Sequence, residues 1–261
     1  MQCYVINLDR SADRLDAIAR SFNRIELGFE RVSAIDAREF APGYLAALTS
    51  NDRLAAETVA CFLSHQKCWQ KLLESNDPYA AIFEDDIIFS AEAGLILADP
   101  CWLPEGFDLI KLETFQRNTI IDKVMGAVIP GYHISRLLQS HVGAGGYVLS
   151  RECAAILIQQ TQEVAVPVDH FLFKPGSGPF ETMNIYQLTP AICIQRCFVD
   201  ENAPESLIER ERKKTEFVKP SGLRKLGREI VRPFKKMKIK ANGLFMNLFT
   251  TKRWGKIPFR A

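Results

Sequence analysis

At residues 79–89 the chain reads Tyr79-Ala80-Ala81-Ile82-Phe83-Glu84-Asp85-Asp86-Ile87-Ile88-Phe89. The apolar residues on both sides predict a buried strand, and Glu84, Asp85 and Asp86 interrupt it. Burying an unpaired carboxylate costs several kcal/mol, and adjacent carboxylates also repel one another, so a cation must offset their charge. A divalent metal ion held by carboxylates commonly serves a phosphate. The first hypothesis is therefore a metal site for a phosphate-bearing ligand.

Strand geometry separates the three acids. Alternate residues of a strand face the same side, so Glu84 and Asp86 are expected to project together and Asp85 to the opposite side. If the strand frays at its end, Asp85 and Asp86 both reach a cleft on the loop side. Ligands of open α/β sheets bind beyond the carboxyl ends of strands, where oxygen ligands suit Mg²⁺ or Mn²⁺ bridging a nucleotide diphosphate. The alternative is a solvated acidic turn between two shorter strands.

Strand-like and helix-like segments alternate along the chain, which predicts an α/β fold with a parallel or mixed sheet. Besides the acidic segment, strands are predicted over residues 3–8, 29–35, 107–112, 147–149 and, as the last strand, 190–199. One helix is predicted to begin after Ser11 and another after Ser150, each with that serine as its N-cap. A further helix is predicted over residues 58–74, and another segment begins at Pro167.

The composition is that of a soluble globular protein: 261 residues, 47% hydrophobic and 25% charged, enough for one sizeable core with an appendage. The seven cysteines contain no Cys-x-x-Cys pair. We therefore expect reduced thiols in a cytosolic protein and no cysteine zinc site. The first residues read as a strand, which argues against a signal peptide, and no run of about 18 apolar residues predicts a membrane-spanning helix.

Charge is unevenly distributed along the chain. Residues 207–261 hold 17 lysines and arginines against 4 acidic residues, a net charge of +13, whereas residues 1–206 have a net charge of −11. We therefore divide the chain into a globular domain, residues 1–205, and a basic helical C-terminal extension, residues 206–261. Apolar residues recur there at helical spacing, with a kink expected at Pro233. This pattern is typical of an interfacial helix attracted to anionic lipid.

Several polar residues lie where a phosphate or a sugar could bind. Asn7, Arg10 and Arg14 follow the end of the first strand, and an arginine binds phosphate through two parallel hydrogen bonds. They could equally be exposed charges on a helix face. Lys111 borders a strand and faces either a phosphate or solvent. Gly145 belongs to a glycine-rich loop, which fits a close approach to a sugar or a tight turn.

Five segments follow one another along the first 200 residues. They are Tyr4-Val5-Ile6-Asn7-Leu8-Asp9-Arg10 with Arg14, Cys61-Phe62-Leu63-Ser64-His65, Ile82-Phe83-Glu84-Asp85-Asp86, Gly143-Ala144-Gly145-Gly146-Tyr147-Val148-Leu149-Ser150, and Pro167-Val168-Asp169. Their order and spacing resemble glycosyltransferase family 25. This family contains bacterial lipopolysaccharide and lipooligosaccharide glycosyltransferases and is related to collagen galactosyltransferase domains. Ala60 stands where the family usually has glycine.

The resemblance implies that residues 1–205 are a catalytic domain with the nucleotide-diphospho-sugar transferase fold called GT-A, a mixed central sheet flanked by helices. It implies a UDP-sugar donor, UDP-galactose first and UDP-glucose second, and a glycan acceptor. Glu84 and Asp86 would then hold Mn²⁺ or Mg²⁺, and Asp85 would face the ribose or a sugar hydroxyl. The metal would neutralise the charge that develops on the UDP leaving group.

The resemblance also bears on three residues whose surroundings leave their roles open. Asp169 matches the family's Pro-x-Asp segment and would deprotonate the acceptor hydroxyl in an inverting transfer. It could instead cap a helix or bind the metal. His65 lies on the apolar stripe of its helix, where a lone histidine is more often a core residue. The family pattern favours a role for Ser64 and His65 at the donor.

Three hypotheses follow. The first is a metal-dependent inverting hexosyltransferase acting on a lipopolysaccharide, lipooligosaccharide or related glycan. It would be cytoplasmic and peripheral on the inner face of the bacterial inner membrane, held there by residues 207–261, with acceptor recognition in variable loops such as residues 116–135. The second is a sugar-nucleotide nucleotidyltransferase, which lacks its usual glycine-rich basic N-terminal loop here. The third is a nucleic-acid-binding protein, but the aromatic residues of the extension favour lipid over nucleic acid.

Overall fold

A computed structural model describes residues 1–41, 43–51, 54–176, 178–200 and 239–260 of the chain. The predicted domain boundary at residue 205, the helical pattern over residues 223–237 and the kink at Pro233 lie outside these ranges. Within them, all seven cysteines are free thiols. No helix of the described ranges has both the length and the apolar character that crossing a membrane requires.

Strands and helices alternate over most of the chain, as predicted. The strands are β1 (Gln2–Asn7), β2 (Glu30–Ser33), β3 (Tyr79–Glu84), β4 (Ile87–Phe89), β5 (Leu109–Lys111), β6 (Asn118–Ile129), β7 (Tyr132–Leu137), β8 (Gly146–Ser150), β9 (Ile185–Thr189), β10 (Cys193–Gln195) and β11 (Lys252–Lys256). The α-helices are α1 (Ala12–Arg24), α2 (Ala56–Glu74), α3 (Ala93–Ala98), α4 (Arg151–Gln160), α5 (Val168–Phe173) and α6 (239–249).

A mixed sheet organises the molecule. Nine of the described strands form it, in the order β11-β6-β7-β9-β5-β8-β3-β1-β2, while β4 and β10 form a separate two-stranded sheet. Strand β1 runs parallel to β2 and β3, and β5 runs parallel to β9. The other neighbours in the large sheet are antiparallel. The predicted α/β class with a mixed central sheet flanked by helices is confirmed.

Apolar side chains cover both faces of the central strands, which explains why β1, β3 and β8 read as continuous apolar runs. Alternate residues of β1 belong to opposite cores: Tyr4 and Ile6 face one, Cys3 and Val5 the other. The first core packs under α2, α4 and α5, and the second packs under α1 and α3. Around β1, β3 and β8 the sheet is therefore the middle layer of three, which leaves the ends of these strands open to a ligand.

Two predictions about the second half of the chain are wrong. Residues 190–199 were expected to form the last strand, but only Cys193–Gln195 are extended there, and β11 ends the sheet. Residues 116–135 were expected to be a variable loop, yet most of them form the β6–β7 hairpin. Its turn, Pro130-Gly131, has a positive φ of 84° at the glycine. A Pro-Gly dipeptide between two apolar runs was the local signal for this hairpin.

The C-terminal residues pack against the domain that the sequence assigns to residues 1–205. Strand β11 pairs with β6 from Lys252↔Asp122 to Lys256↔Asn118. Beyond it, the backbone N–H of Ala191 donates to the Pro258 carbonyl (2.8 Å), and Ile257 is buried. Part of the basic extension is thus a component of the main sheet.

Candidate active site

A cleft opens where the parallel strands β1 and β3 end, between the first turns of α1 and the middle of α2. Ile6 and Glu84 are register partners at this edge. The carboxyl ends of adjacent parallel strands are the usual ligand site of an open α/β sheet. The polar residues lining the cleft are Asn7, Arg10, Arg14, Asp36, Glu57, Ser64, His65, Glu84, Asp85 and Asp86.

The three acids form the end of β3 and the turn into β4. Glu84 is the last residue of β3, and Ile87 begins β4. Arg14 of α1 donates from one terminal nitrogen to Oδ1 of Asp85 (2.8 Å) and from the other to Oδ2 of Asp86 (2.9 Å). The expectation for a continuous strand, that Asp85 faces away from Asp86, is therefore wrong. The stated alternative is confirmed: the strand ends at Glu84, and Asp85 and Asp86 both reach the cleft. A solvated turn is also excluded, since Asp85 is only 7% exposed.

Arg14 supplies one positive charge to three carboxylates in this turn. Burial raises the pKa of Glu84 to about 8, and the charges of Asp86 and Asp85 add to the effect. Burial also raises the pKa of Asp85 to about 6, although Arg14 and Asn7 act against it. The pKa of Asp86 is raised by burial as well. The cleft therefore holds more acid than its contacts with Arg14 neutralise, and a further cation would be stabilised there.

The acidic turn offers oxygen atoms suited to a hard divalent ion. Oδ1 of Asp86 is buried and has no hydrogen-bond partner among the described residues. Oε2 of Glu84 accepts a hydrogen bond from the side-chain amide of Gln195 (3.2 Å), while Oε1 faces the other side. Because Mn²⁺ and Mg²⁺ take carboxylate oxygens, Glu84 and Asp86 fit the metal-binding role that the sequence predicts for them.

Asn7 and Arg31 hold the turn from the β1 side. The amide nitrogen of Asn7 donates to Oδ2 of Asp85 (2.7 Å), and its amide oxygen accepts from Nε of Arg31 (3.0 Å). Asn7 is thus a buried support for Asp85 as well as a cleft residue. Arg10 lies at the mouth of the cleft, where it pairs with Asp36.

His65 is held by a chain of hydrogen bonds that starts in the core. The indole N–H of Trp69 donates to the Tyr147 hydroxyl (2.9 Å), and that hydroxyl lies 2.9 Å from Nδ1 of His65. A tryptophan can only donate, so the hydroxyl proton of Tyr147 is directed to Nδ1. The imidazole proton then sits on Nε2, which faces Oε1 of Glu84 at 3.5 Å. Burial lowers the pKa of His65 to about 3, so the ring is neutral.

Ser64 ties α2 to the loop after β2. Its hydroxyl donates to the Ala60 carbonyl (2.7 Å) and accepts from the backbone N–H of Ile35 (2.9 Å). Both bonds lie beside the cleft, because Ala60, Ile35 and Ser64 all line it. Ser64 therefore shapes the wall of the cleft.

Lys111 lies beneath the cleft and does not line it. Lys111 and Glu113 are both fully buried and paired, Nζ to Oε2, at 3.2 Å. The ammonium also donates to the Gly143 carbonyl, and Oε2 of Glu113 accepts from the backbone N–H of Gly145 (2.9 Å). The predicted contact of Lys111 with a donor phosphate is therefore not supported by its position. Its ammonium holds the glycine-rich loop.

The glycine-rich loop is also hydrogen-bonded to the acidic turn. The Gly145 carbonyl accepts from the backbone N–H of Glu84 (3.1 Å). A Cβ atom on Gly145 would lie 2.8 Å from Oε1 of Glu113. The group that approaches Gly145 closely is therefore the Glu113 side chain, where the sequence analysis suggested a sugar or a tight turn.

Asp169 lies in the first turn of α5 and faces the same region. Pro167 occupies the N-cap position, so the capping role considered for Asp169 is wrong. Its Oδ2 accepts from the backbone N–H of Gly143 (3.1 Å). The carboxylate is close enough to contribute to the raised pKa values of Glu84 and Cys61. Asp169 thus belongs to the acidic surroundings of the cleft.

The sequence analysis missed several supporting residues. Glu113 follows Lys111 by two residues at a strand end, where alternation places both on one face, so a local signal existed. Cys61 precedes His65 by four residues on α2 and was identifiable in the same way. Tyr147 and Gln195 have no local signal, because their partners are distant in sequence.

A family comparison decides between the hypotheses. The model of glycosyltransferase family 25 (LPS biosynthesis protein) matches residues 1–172, which include β1, α2, the acidic turn, the glycine-rich loop and Asp169. The chain belongs to glycosyltransferase family 25. The resemblance in the five segments is thereby confirmed, and a glycosyltransferase is favoured over a nucleotidyltransferase or a nucleic-acid-binding protein.

Proteins similar to this chain occur in Neisseria and Haemophilus. The lacto-N-neotetraose biosynthesis glycosyltransferase LgtB of Neisseria gonorrhoeae is 31% identical over 235 residues, 82% of each chain. LgtE of the same organism is 31% identical over 75% of this chain and 74% of its own. The lipooligosaccharide biosynthesis protein lic2B of Haemophilus influenzae is 28% identical, covering 98% of both chains.

Among solved structures, the inositol-1-phosphate CTP transferase from T. maritima aligns over 83% of this chain and 77% of its own, with a TM-score of 0.35 and 12% identity. This similarity is too low to support any conclusion.

Proposed function

We propose that this family 25 glycosyltransferase transfers a hexose from a UDP-sugar to a lipopolysaccharide, lipooligosaccharide or related glycan, with inversion at the anomeric carbon. Galactose is the first candidate and glucose the second. The observation that carries the proposal is the buried acidic turn at the carboxyl end of β3, where Arg14 leaves the charge of three carboxylates incompletely offset. Its place beside the parallel strands β1 and β2 supports a GT-A type arrangement.

In this proposal Glu84 and Asp86 would hold Mn²⁺ or Mg²⁺, which would supply positive charge to the donor diphosphate when bound. Arg14 keeps Asp85 and Asp86 at a fixed separation, since a separate nitrogen atom contacts each carboxylate. Asn7 prevents Asp85 from rotating away. Asp85 and Asp86 are thus held in place before a ligand binds.

Asp169 is the proposed base. Its carboxylate takes the proton of the acceptor hydroxyl as that oxygen attacks the anomeric carbon of the donor sugar. The bond from the anomeric carbon to the β-phosphate oxygen breaks, and its electron pair leaves with UDP. The Gly143 N–H, 3.1 Å from Oδ2, fixes the orientation of the carboxylate.

The remaining cleft residues would bind the nucleotide. Arg10, with 36% of its side chain exposed, is placed to reach a phosphate. Ser64 and His65 line the opposite wall on α2. Asn7 and Arg14 would act mainly through the acidic turn that they hold.

The test is UDP release from a panel of UDP-sugars with Mn²⁺ and an oligosaccharide acceptor. We expect Asp86→Asn to lower turnover by roughly 100-fold or more, as loss of a preorganised charge contact does. The matched control is Asp16→Asn, an exposed aspartate on α1, which should leave turnover unchanged. Full activity in Asp86→Asn would overturn the assignment. Pyrophosphate release from a sugar phosphate and a nucleoside triphosphate would instead support the nucleotidyltransferase hypothesis.

We also propose that α6 contacts an anionic membrane surface, which places the enzyme at the cytoplasmic face of the inner membrane. The exposed fractions of Leu244, Phe245, Leu248 and Phe249 are 61%, 62%, 72% and 71%. Exposed apolar residues beside lysine and arginine suit a surface of negatively charged lipid.

Substitution tests this contact better than truncation, because truncation would also remove β11. Phe245→Ser with Phe249→Ser should reduce co-sedimentation with phosphatidylglycerol vesicles. The control is Leu95→Ser with Ile156→Ser, two exposed apolar residues on other helices. Equal binding by both double variants would refute the membrane role of α6.

A further inference from the structure

One side of the cleft brings together a thiol, an imidazole and a carboxylate, a ligand set different from the oxygen-only pair proposed for Mn²⁺ or Mg²⁺. Cys61 and His65 are four residues apart on α2 and so project from the same face of the helix. Glu84, at the end of β3, faces them. The sulfur of Cys61, a ring nitrogen of His65 and a carboxylate oxygen of Glu84 all lie within 4.8 Å of one another.

Nε2 of His65 is the atom that points to a ligand. His65 is fully buried, and Nε2 has no hydrogen-bond partner among the described residues. Its contact with Glu84 at 3.5 Å is an ion pair only if the ring is charged, and it lies at the limit of a hydrogen bond. A buried polar atom left unsatisfied is costly unless something binds it.

The other ring nitrogen is already held. Nδ1 of His65 lies 2.9 Å from the Tyr147 hydroxyl, which in turn accepts from Trp69. Histidines that bind metals have this arrangement, in which an outer partner on one nitrogen orients the other toward the ion. On metal binding the ring proton would move to Nδ1, and the Tyr147 oxygen would accept from both neighbours.

We propose that Cys61, His65 and Glu84 form a binding site for a thiophilic divalent cation, with Zn²⁺ as the best fit. A sulfur, nitrogen and oxygen set suits Zn²⁺, whereas Mg²⁺ and Mn²⁺ prefer oxygen ligands. Three protein ligands leave a fourth tetrahedral position open to water or to a ligand in the cleft. Binding releases the thiol proton of Cys61 to solvent, so that the thiolate becomes the ligand.

The site has a regulatory consequence, and this consequence rests on the proposed function. Glu84 belongs both to the zinc site and to the pair proposed to hold Mn²⁺ or Mg²⁺. Zinc on Cys61 and His65 would withdraw Glu84 from that pair. The enzyme would then be inhibited by zinc in competition with its hard cation.

Cobalt(II) is the probe for binding, because it replaces zinc in such sites and absorbs visible light. Metal-free full-length protein titrated with Co²⁺ should develop a thiolate-to-cobalt charge-transfer band and the intense ligand-field bands of tetrahedral cobalt. Zn²⁺ should abolish both. Cys61→Ser should lose the charge-transfer band and weaken metal binding by about tenfold or more.

Matched variants separate this site from adventitious binding. Cys101→Ser removes an exposed cysteine elsewhere and should keep the full cobalt spectrum. His65→Gln should lose the tetrahedral bands, and its fold is checked by circular dichroism. If a variant fails to fold, zinc-dependent protection of the Cys61 thiol from alkylation in wild-type protein gives the same answer. No charge-transfer band, or one that persists in Cys61→Ser, would overturn the proposal.

Turnover with Mn²⁺ is measured separately, so the two proposals can fail independently. Cobalt bands in a protein without transferase activity would support the zinc site and refute the proposed function. Transferase activity without cobalt bands would support the proposed function and refute the zinc site. If both hold, the zinc concentration for half-inhibition should rise about tenfold or more in Cys61→Ser relative to Cys101→Ser.

Discussion

The acidic turn at the end of β3 depends on how one guanidinium is shared. Arg14 gives one nitrogen atom to Asp85 and another to Asp86, which leaves Glu84 without an arginine contact of this kind. Glu84 consequently holds its proton to about pH 8, mainly because it is buried. In the metal-free protein, ionising this buried acid above that pH is a source of instability.

The first prediction concerns Glu84 and pH. Its pKa is about 8 in the folded protein, against an ordinary value of 4.5. Between these values the folded state binds more protons than the unfolded state, so stability falls as pH rises. Glu84→Gln should remove this loss and be more stable than the wild type by roughly 1–3 kcal/mol at pH 8. The difference should shrink towards pH 5.

Urea unfolding in the presence of a chelator measures both proteins across this pH range. Added Mn²⁺ should stabilise the wild type more than Glu84→Gln. Parallel pH profiles for the two proteins would show that Glu84 ionises normally in the fold.

Tyr147 is the second residue-scale test. Tyr147→Phe removes the hydroxyl that serves both the Trp69 indole and Nδ1 of His65, leaving two buried polar groups unsatisfied. We expect a loss of roughly 1–3 kcal/mol in the free energy of unfolding. Tyr79→Phe, at the half-buried start of β3, is the control. A loss no larger than in the control would mean that water replaces the hydroxyl.

At the scale of elements, the glycine-rich loop between β7 and β8 connects the buried pair to the cleft. Lys111 donates to the Gly143 carbonyl, Glu113 accepts from the Gly145 N–H, and Asp169 accepts from the Gly143 N–H. The loop thereby fixes Asp169 relative to Glu84, although they come from different elements. The close contact between Gly145 and Glu113 requires a residue without a side chain at position 145.

Gly145→Ala tests that need. The added Cβ would lie 2.8 Å from Oε1 and 3.1 Å from the carboxyl carbon of Glu113. The Glu113 carboxyl group cannot move away freely, because it is buried and paired with Lys111. We therefore expect Gly145→Ala to lower the free energy of unfolding by roughly 1–3 kcal/mol. At Gly28 a Cβ would meet nothing within 4 Å, and Gly28→Ala should be nearly neutral. Thermal melts compare the two, and equal effects would mean that the loop tolerates a side chain.

Elements defined by local signals were predictable from the sequence. Helix α4 begins after Ser150 as predicted, and the Ser150 hydroxyl accepts from the Cys153 N–H (3.1 Å) as its cap. Strands β10 and β11 were mispredicted, because their pairing partners β4 and β6 lie far away in the chain. Pairing across such distances leaves no periodicity that a sequence window can detect.

The same distinction holds for the candidate site. The acidic triplet and Arg14 are visible because charge stands out in an apolar context. That Arg14 contacts both Asp85 and Asp86 was not visible, since it depends on where β3 ends. The Tyr147–His65 contact arises only when β8 and α2 pack together.

At the scale of the whole molecule, the C-terminal residues join the extension to the sheet. Asn247 of α6 accepts from the backbone N–H of Trp254 (2.6 Å) and donates to its carbonyl (2.9 Å). Helix α6 is therefore anchored to β11, and β11 to the β6–β7 hairpin. A membrane contact made by α6 would act on this hairpin through a continuous hydrogen-bonded path.

Deleting residues 252–260 tests the structural part of this connection. Residues Asn118–Asp122 of β6 would lose their outer partner, and an unpaired edge strand invites association with other chains. We expect a lower melting temperature and concentration-dependent oligomers in light scattering. Asn247→Ala, which keeps β11, should remain monomeric. A truncated protein that stays monomeric and melts normally would show that β11 is dispensable.

The position of β11 also constrains how the protein is made. Eight strands of the sheet are complete in the first 189 residues, yet the strand that covers β6 is translated only at residues 252–256. A chain emerging from the ribosome therefore carries an open sheet edge for more than 100 residues of synthesis after β6. Residues 252–256, in the predicted extension, complete the sheet, and a chain ending at the predicted boundary, residue 205, would keep that edge exposed.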